Sequence, residues 1–182
     1  LKHPEMVGVN PEVAHEHMAG LNFTHAVAAA LSAGKLFHID LNDQEFGRYD
    51  QDLRFGSANI KSAFFLVKLL EDHRYAGFRH FDAHAYRTAD RADVIEFARG
   101  CMRTYLVLKE KARRWNADDQ VKALLRQINR ESKDLDALSA AYSASKAETL
   151  LGMTFDRAKL ASRPLPCEKL DQRTMDILLG VD

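Results

Sequence analysis

Three aspartates, Asp40, Asp50 and Asp52, lie close together in the stretch LFHIDLNDQEFGRYDQD (residues 36–52), and the first of them closes a short apolar run. Carboxylates gathered at the end of a buried strand repel one another and resist desolvation unless a cation sits among them. Oxygen donors of this kind suit a hard divalent metal ion. The alternative is a solvated acidic loop that turns at Asn42-Asp43. Two other places extend the set. Glu12 and His15 stand three residues apart just past the apolar run Met6–Val9, so one turn of chain would aim both the same way. A carboxylate and an imidazole so placed are good ligands for Mg, Mn or Co. Asp82 ends a third short strand-like segment, which starts at Gly77. His38, two residues before Asp40, shares a strand face with it and reads as a support behind that carboxylate. His17, His25, His73 and His80 read as helix-face, loop or strand residues with no acid at a suggestive spacing.

The elements that must position these side chains alternate in type. Met6–Val9 predicts a strand that stops near Asn10, because Pro11 has no N–H for a sheet ladder. The alanine-rich segment from Val13 to Ala33 predicts a helix, with Phe23, Val27 and Leu31 four apart and Gly34 as its stop. Leu36–Leu41 predicts the second strand. Ile60, Phe64, Val67 and Leu70 trace a second helix, capped by Ser57 or Asn59. Gly77–Asp82 predicts the third strand, and residues 90–116 the longest helix, with Val94, Phe97, Cys101, Tyr105, Leu108 and Ala112 on one stripe. Strand and helix in strict alternation indicate a parallel sheet covered by helices, in which ligands sit at the carboxyl ends of the strands. Each of the three strands carries an acid there: Glu12, Asp40 and Asp82. Residues 118–150 carry helical periodicity, with Val121, Leu124, Leu125 and Ile128, then Leu135, Leu138 and Ala141, and no strand signal appears beyond Ala117. Pro164 and Pro166 precede a last helix from Glu168 to Leu179 that stops at Gly180.

The 182 residues are long enough for a sizeable core, and 29% of them are charged with a net charge of zero. No basic run is present, which argues against nucleic acid and anionic membrane as partners. Two cysteines, Cys101 and Cys167, make no disulfide framework and fit a reducing cytoplasm. No apolar stretch is long enough to span a bilayer. The chain begins almost at once with a strand-like segment and without a methionine, as a piece of a longer protein would.

Asn10-Pro11-Glu12-Val13-Ala14-His15-Glu16, Ala19-Gly20-Leu21-Asn22-Phe23, Lys35-Leu36-Phe37-His38-Ile39-Asp40-Leu41-Asn42, Tyr49-Asp50-Gln51-Asp52 and Arg79-His80-Phe81-Asp82 occur in order, with Leu178-Leu179-Gly180 at the end. Together they resemble xylose isomerase, also called glucose isomerase, of the actinobacterial type, and its carboxyl-terminal part in particular. The resemblance implies an α/β fold: the last three βα units of a TIM (β/α)8 barrel in residues 1–116, then an all-helical arm for subunit association in residues 117–182. It implies two divalent cations (Mg, Mn or Co) per site, with Glu12 bridging both. Asp40 and Asp82 would hold the first, and His15, Asp50 and Asp52 the second. Asn10 and Asn42 would support these ligands, and Asp52 would accept the hydroxyl proton. The implied reaction is aldose–ketose interconversion by a hydride shift on xylose or glucose, in a cytoplasmic homotetramer. His84 departs from the lysine of many relatives, so the charge beside the metals differs. A whole TIM barrel takes roughly 250 residues and eight strands. The family's ring-opening histidine–aspartate pair, catalytic lysine, substrate-flanking tryptophans and remaining first-metal glutamate would lie in a missing amino-terminal portion. The alternatives are another divalent-metal TIM barrel, such as a sugar epimerase or an apurinic-site endonuclease, and a non-catalytic piece serving subunit association.

Overall fold

The computed structural model describes residues 1–129 and 133–181. The chain forms two compact units, Leu1–Arg113 and Arg114–Asp182.

The first unit is α/β, mostly helical around a small parallel sheet. β1 (His38–Asp40) pairs in parallel with β2 (Phe78–His80), with Ile39 opposite Arg79 and Asp40 opposite His80. On its other side β1 takes the segment around Val9 in parallel, through bridges Val9–Leu36 and Glu12–Asp40. The backbone bonds are Val9 N to Lys35 O (2.8 Å), Phe37 N to Val9 O (3.2 Å) and Asp40 N to Pro11 O (3.1 Å). The strand expected over Met6–Val9 is therefore reduced to single bridges. Pro4–Met6 winds instead into one 3-10 turn, which removes the start of the strand. Pro11, with no N–H, cannot extend the ladder at the other end. The surviving Glu12–Asp40 bridge sets two of the candidate ligands side by side.

The helix expected over Val13–Ala33 is two helices, α1 (Val13–Met18) and α2 (Phe23–Ser32). Gly20 takes a φ of 73° in the break, a left-handed conformation open mainly to glycine. The Asn22 side chain then accepts from His25 N (2.9 Å) and starts α2 as its cap. α3 (Ile60–Asp72) is capped by Asn59, whose side chain accepts from Ser62 N at 3.0 Å. α2 and α3 contact one another. Val27, Phe64, Leu66, Val67 and Leu70 from these helices, with Ile39 from β1 and Leu41 just after it, are fully or almost fully buried. Burial of side chains this size contributes about 1.5–3 kcal/mol each.

The long helix α4 (Arg91–Ala117) buries its stripe only from Cys101 onward, through Tyr105, Leu108 and Ala112; Val94 is exposed and Phe97 half-buried. Tyr105 joins three elements. Its hydroxyl accepts from Arg79 Nε and donates to Glu71 Oε1, each at 2.7 Å. Burial and the Glu71 carboxylate push this phenol well above its ordinary value. Burial alone would raise the Glu71 carboxyl too, but Lys109 Nζ at 2.7 Å and the Tyr105 hydroxyl hold it below the usual range.

No strand occurs among the described residues of the second unit. It contains α5 (Asp119–Asn129), α6 (Lys133–Ser139), α7 (Ala144–Gly152), α8 (Arg157–Ala161) and α9 (Cys167–Leu179). The part of the helical expectation that falls on residues 130–132 lies outside the described residues. α5 packs on α9; Val121, Leu124, Thr174 and Ile177 are buried on these two helices. Two polar clamps hold α9 to the turn that leads into α5: Trp115 Nε1 donates to Thr174 Oγ1 (2.9 Å), and Arg173 donates to Asp118 Oδ2 through Nε (3.1 Å) and Nη2 (2.7 Å). The guanidinium holds the Asp118 carboxyl below its usual range. α9 ends at Gly180, whose φ of 80° makes the left-handed cap expected of it. α8 was not foreseen, and Leu135 is exposed rather than part of a buried stripe. No helix among the described residues is long and apolar enough to cross a membrane.

Candidate metal centre

Carboxyl ends of parallel strands lie on one edge, so Glu12, Asp40 and Asp82 are delivered together. One carboxylate oxygen from each lies within 4.8 Å of the others. Asp40 is almost wholly buried. Its carboxylate is fixed by Asn10 Nδ2 on Oδ2 (2.7 Å) and by His38 Nε2 and His80 Nδ1 on Oδ1 (3.1 and 3.0 Å).

A second group adjoins the first and shares Glu12. Glu12 ends its extended segment as the residue before α1, and His15 follows in the first turn of that helix. One donor atom each from Glu12, His15 and Asp50 lies within 4.8 Å of the others. His15 Nε2 stands 3.5 Å from Glu12 Oε2 and 3.4 Å from Asp50 Oδ1. That contact is too poorly directed to be a hydrogen bond, and Asp50 Oδ1 is a buried oxygen with no donor. Burial raises the Glu12 carboxyl above its usual value; Asn42 and His15 offset part of this, while the neighbouring Asp52 adds to it.

Asp52 belongs to neither group by distance, but Asn42 ties it to both. The fully buried Asn42 gives Nδ2 to Glu12 Oε1 and to Asp52 Oδ1, both at 2.8 Å. Its Oδ1 accepts from Ala14 N (3.0 Å), which locks the amide's orientation. His84 Nδ1 lies 3.2 Å from Asp52 Oδ2, so this ring faces that carboxylate. Asp50 and Asp52 take φ values of 35° and 45°. L-residues avoid this region at about 1–2 kcal/mol each, Asn and Asp least among the residues with side chains. Such strain persists only where surrounding structure holds it, and it gathers at functional sites.

Two groups escaped local reading. His80 has no acid at a suggestive spacing in the sequence, yet it faces Asp40 because β2 lies in register with β1. Gln44, almost wholly buried, holds the loop that carries Asp50: its Nε2 donates to Glu45 O (3.0 Å) and Arg48 O (2.7 Å), and its Oε1 accepts from Gln51 N (2.7 Å). Asp43, by contrast, faces away from the donor cluster. Its Oδ2 accepts from Ala58 N and Asn59 N (2.8 and 3.0 Å) and anchors the start of α3.

The donor set fits a hard divalent cation. Carboxylate oxygens dominate, one imidazole is included, one buried oxygen lacks a donor, and amides fix the carboxylates from behind. The first unit is thus an α/β unit with a candidate divalent-cation centre at the carboxyl edge of its parallel sheet. No protein-family model matches the chain. Individual relatives do. It is 55% identical over 181 residues to a xylose isomerase of Thermus caldophilus and 57% identical over 181 residues to one of Thermus thermophilus. In both cases the match covers all of this chain and 47% of the relative. It is 49% identical over 180 residues to the xylose isomerase of Streptomyces lividans, covering 99% of this chain and 46% of that one. The chain is homologous to xylose isomerases along its whole length, and matches the carboxyl-terminal part of theirs, about half of each relative.

Proposed function

We propose that this chain is the cation-holding, carboxyl-terminal part of an aldose–ketose isomerase that interconverts xylose and xylulose, and glucose and fructose. The observation that carries the reading is the convergence of Glu12, His15, Asp40, Asp50 and Asp82 at the sheet's carboxyl edge in a chain about half identical to xylose isomerases throughout. On this reading the Val9 segment, β1 and β2 are neighbouring strands of a TIM barrel completed by an amino-terminal portion, within residues 1–116. Residues 117–182 are an arm that associates with another subunit in a homotetramer. The exposed Tyr142, Leu151, Phe155 and Leu165 supply apolar surface for that contact. The two free cysteines suit a reducing cytoplasm.

Asp40, Asp82 and Glu12 would hold one cation, and Glu12, His15 and Asp50, joined by Asp52 beside them, would hold a second, Mg, Mn or Co in each case. Such ions polarise adjacent sugar oxygens and lower the pKa of a bound water. Asn42 holds Glu12 and Asp52 on one amide nitrogen, which keeps the shared ligand and the proton acceptor in fixed relation. Asp52 accepts the hydroxyl proton while hydride passes between adjacent carbons, and returns it to the neighbouring oxygen. His84 steadies the Asp52 oxygen that Asn42 does not touch.

The test is xylulose formation from xylose by the protein at its full natural length with Mg or Mn. Turnover is expected to vanish with a chelator, and Asp52→Asn should lower kcat by about 10²- to 10⁴-fold. Asp43→Asn is the control: it should lose about 1–3 kcal/mol of stability in denaturant titration with kcat retained. Equal kcat for Asp52→Asn and the unmodified protein would contradict the role of Asp52. Deletion of residues 117–182 should lower the assembly state in light scattering more than it weakens cation binding. An unchanged tetramer would count against the arm.

A further inference from the structure

His38 and His80 lie on neighbouring strands and bring one ring nitrogen each to the same atom, Asp40 Oδ1, at 3.1 and 3.0 Å. They use different nitrogens, Nε2 of His38 and Nδ1 of His80. Resting on the reading that Asp40 holds a cation, we infer that these histidines are positioning residues, each donating from the nitrogen that faces Asp40, that leave Asp40 one lone pair for that cation.

The argument is a count of lone pairs. An ionised carboxylate only accepts, so each nitrogen facing it must carry a hydrogen. Nε2 of His38 and Nδ1 of His80 are therefore both donors to Oδ1. A carboxylate offers about four lone-pair sites. The histidines fill both on Oδ1, and Asn10 Nδ2 fills one on Oδ2 at 2.7 Å. The remaining Oδ2 site makes Asp40 a ligand through a single oxygen. The parallel register fixes the arrangement: Asp40 lies opposite His80, and His38 shares its own strand. Neither histidine needs to touch substrate or cation to do this.

The experiment uses the full-length protein. Imidazole ¹⁵N spectra taken without cation should show a hydrogen on Nε2 of His38 and on Nδ1 of His80; either of these nitrogens without its hydrogen would overturn the inference. Mn²⁺ binding is then measured by electron paramagnetic resonance and calorimetry. His80→Ala and His38→Ala should each weaken the site built on Asp40 and Asp82 by about 10- to 100-fold, with less effect on the site built on His15 and Asp50. Asparagine places an N–H where Nδ1 was, and glutamine where Nε2 was. His80→Asn and His38→Gln should therefore recover most of the lost affinity, which a merely structural role would not predict. Asparagine or glutamine no better than alanine would sink the inference, as would alanine variants that bind Mn²⁺ normally. An unmodified protein that takes up no Mn²⁺ would instead overturn the metal reading and the ligand role drawn from it, while the cation-free spectra judge the Asp40 geometry separately.

Discussion

Residues 1–182 expressed alone are expected to form no xylulose from xylose, with or without Mg or Mn. The sheet of the first unit has two ladder strands and an adjoining bridged segment, so it has an open edge on either side. Phe78 on the outer strand is 82% exposed. Open edges carry unpaired N–H and C=O groups and invite association with other chains, and so small a sheet has little stability of its own. Soluble yield should be poor for the same reason. On the proposed reading the amino-terminal portion also supplies ligands and partners to the cation centre, and carboxylates gathered without them repel one another. Co-expression with the amino-terminal portion of the protein should restore metal-dependent turnover. Ketose formed by the isolated chain, with no second polypeptide detectable, would show that the chemistry does not need that portion.

Glu12→Gln is the substitution expected to damage cation binding most. Glu12 is the one residue common to both donor groups, so removing its charge takes a ligand from each site. Glutamine keeps the size and one oxygen, and Asn42 can still donate to it. The loss therefore reports on charge rather than on packing. Calorimetry in the full-length protein should show both sites weakened beyond measurable binding, with turnover abolished. His15→Ala should weaken only the site that includes Asp50, because His15 approaches Glu12 Oε2 and Asp50 Oδ1 alone among the carboxylates. Equal losses at both sites for His15→Ala would contradict the division of ligands.

Elements whose signals are local were legible in the sequence. Asn59 and Gly180 act through their own backbone or the next turn, and both mark helix ends where spacing placed them. The candidate ligands Glu12, His15, Asp40 and Asp82, which the fold brings together, were legible for a related reason: a strand's end and the acid after it are both read from a few consecutive residues. What was not legible depended on registers between distant segments. His80 meets Asp40 across forty positions of chain, through a strand pairing that no local spacing reveals. The break between α1 and α2 was hidden because alanine and histidine on both sides look equally helical, and only Gly20 with Asn22 tips the chain out of the helix. The first strand was overread. Its apolar residues suit a sheet, but Pro4 and Pro11 at its ends restrict it to bridges.

The left-handed backbone at Asp50 and Asp52 bears on how this loop may be altered at the bench or in descent. Asparagine tolerates that conformation at least as well as aspartate, whereas alanine, serine or valine would bring a backbone penalty of their own. An alanine scan here would thus confound two effects, lost charge and a displaced loop, and would overstate the carboxylates. The Asp→Asn exchange separates them, since it removes the charge and leaves the turn. The same asymmetry narrows the substitutions open to the loop: it can be neutralised in one step, but it cannot readily be rebuilt with side chains of another shape.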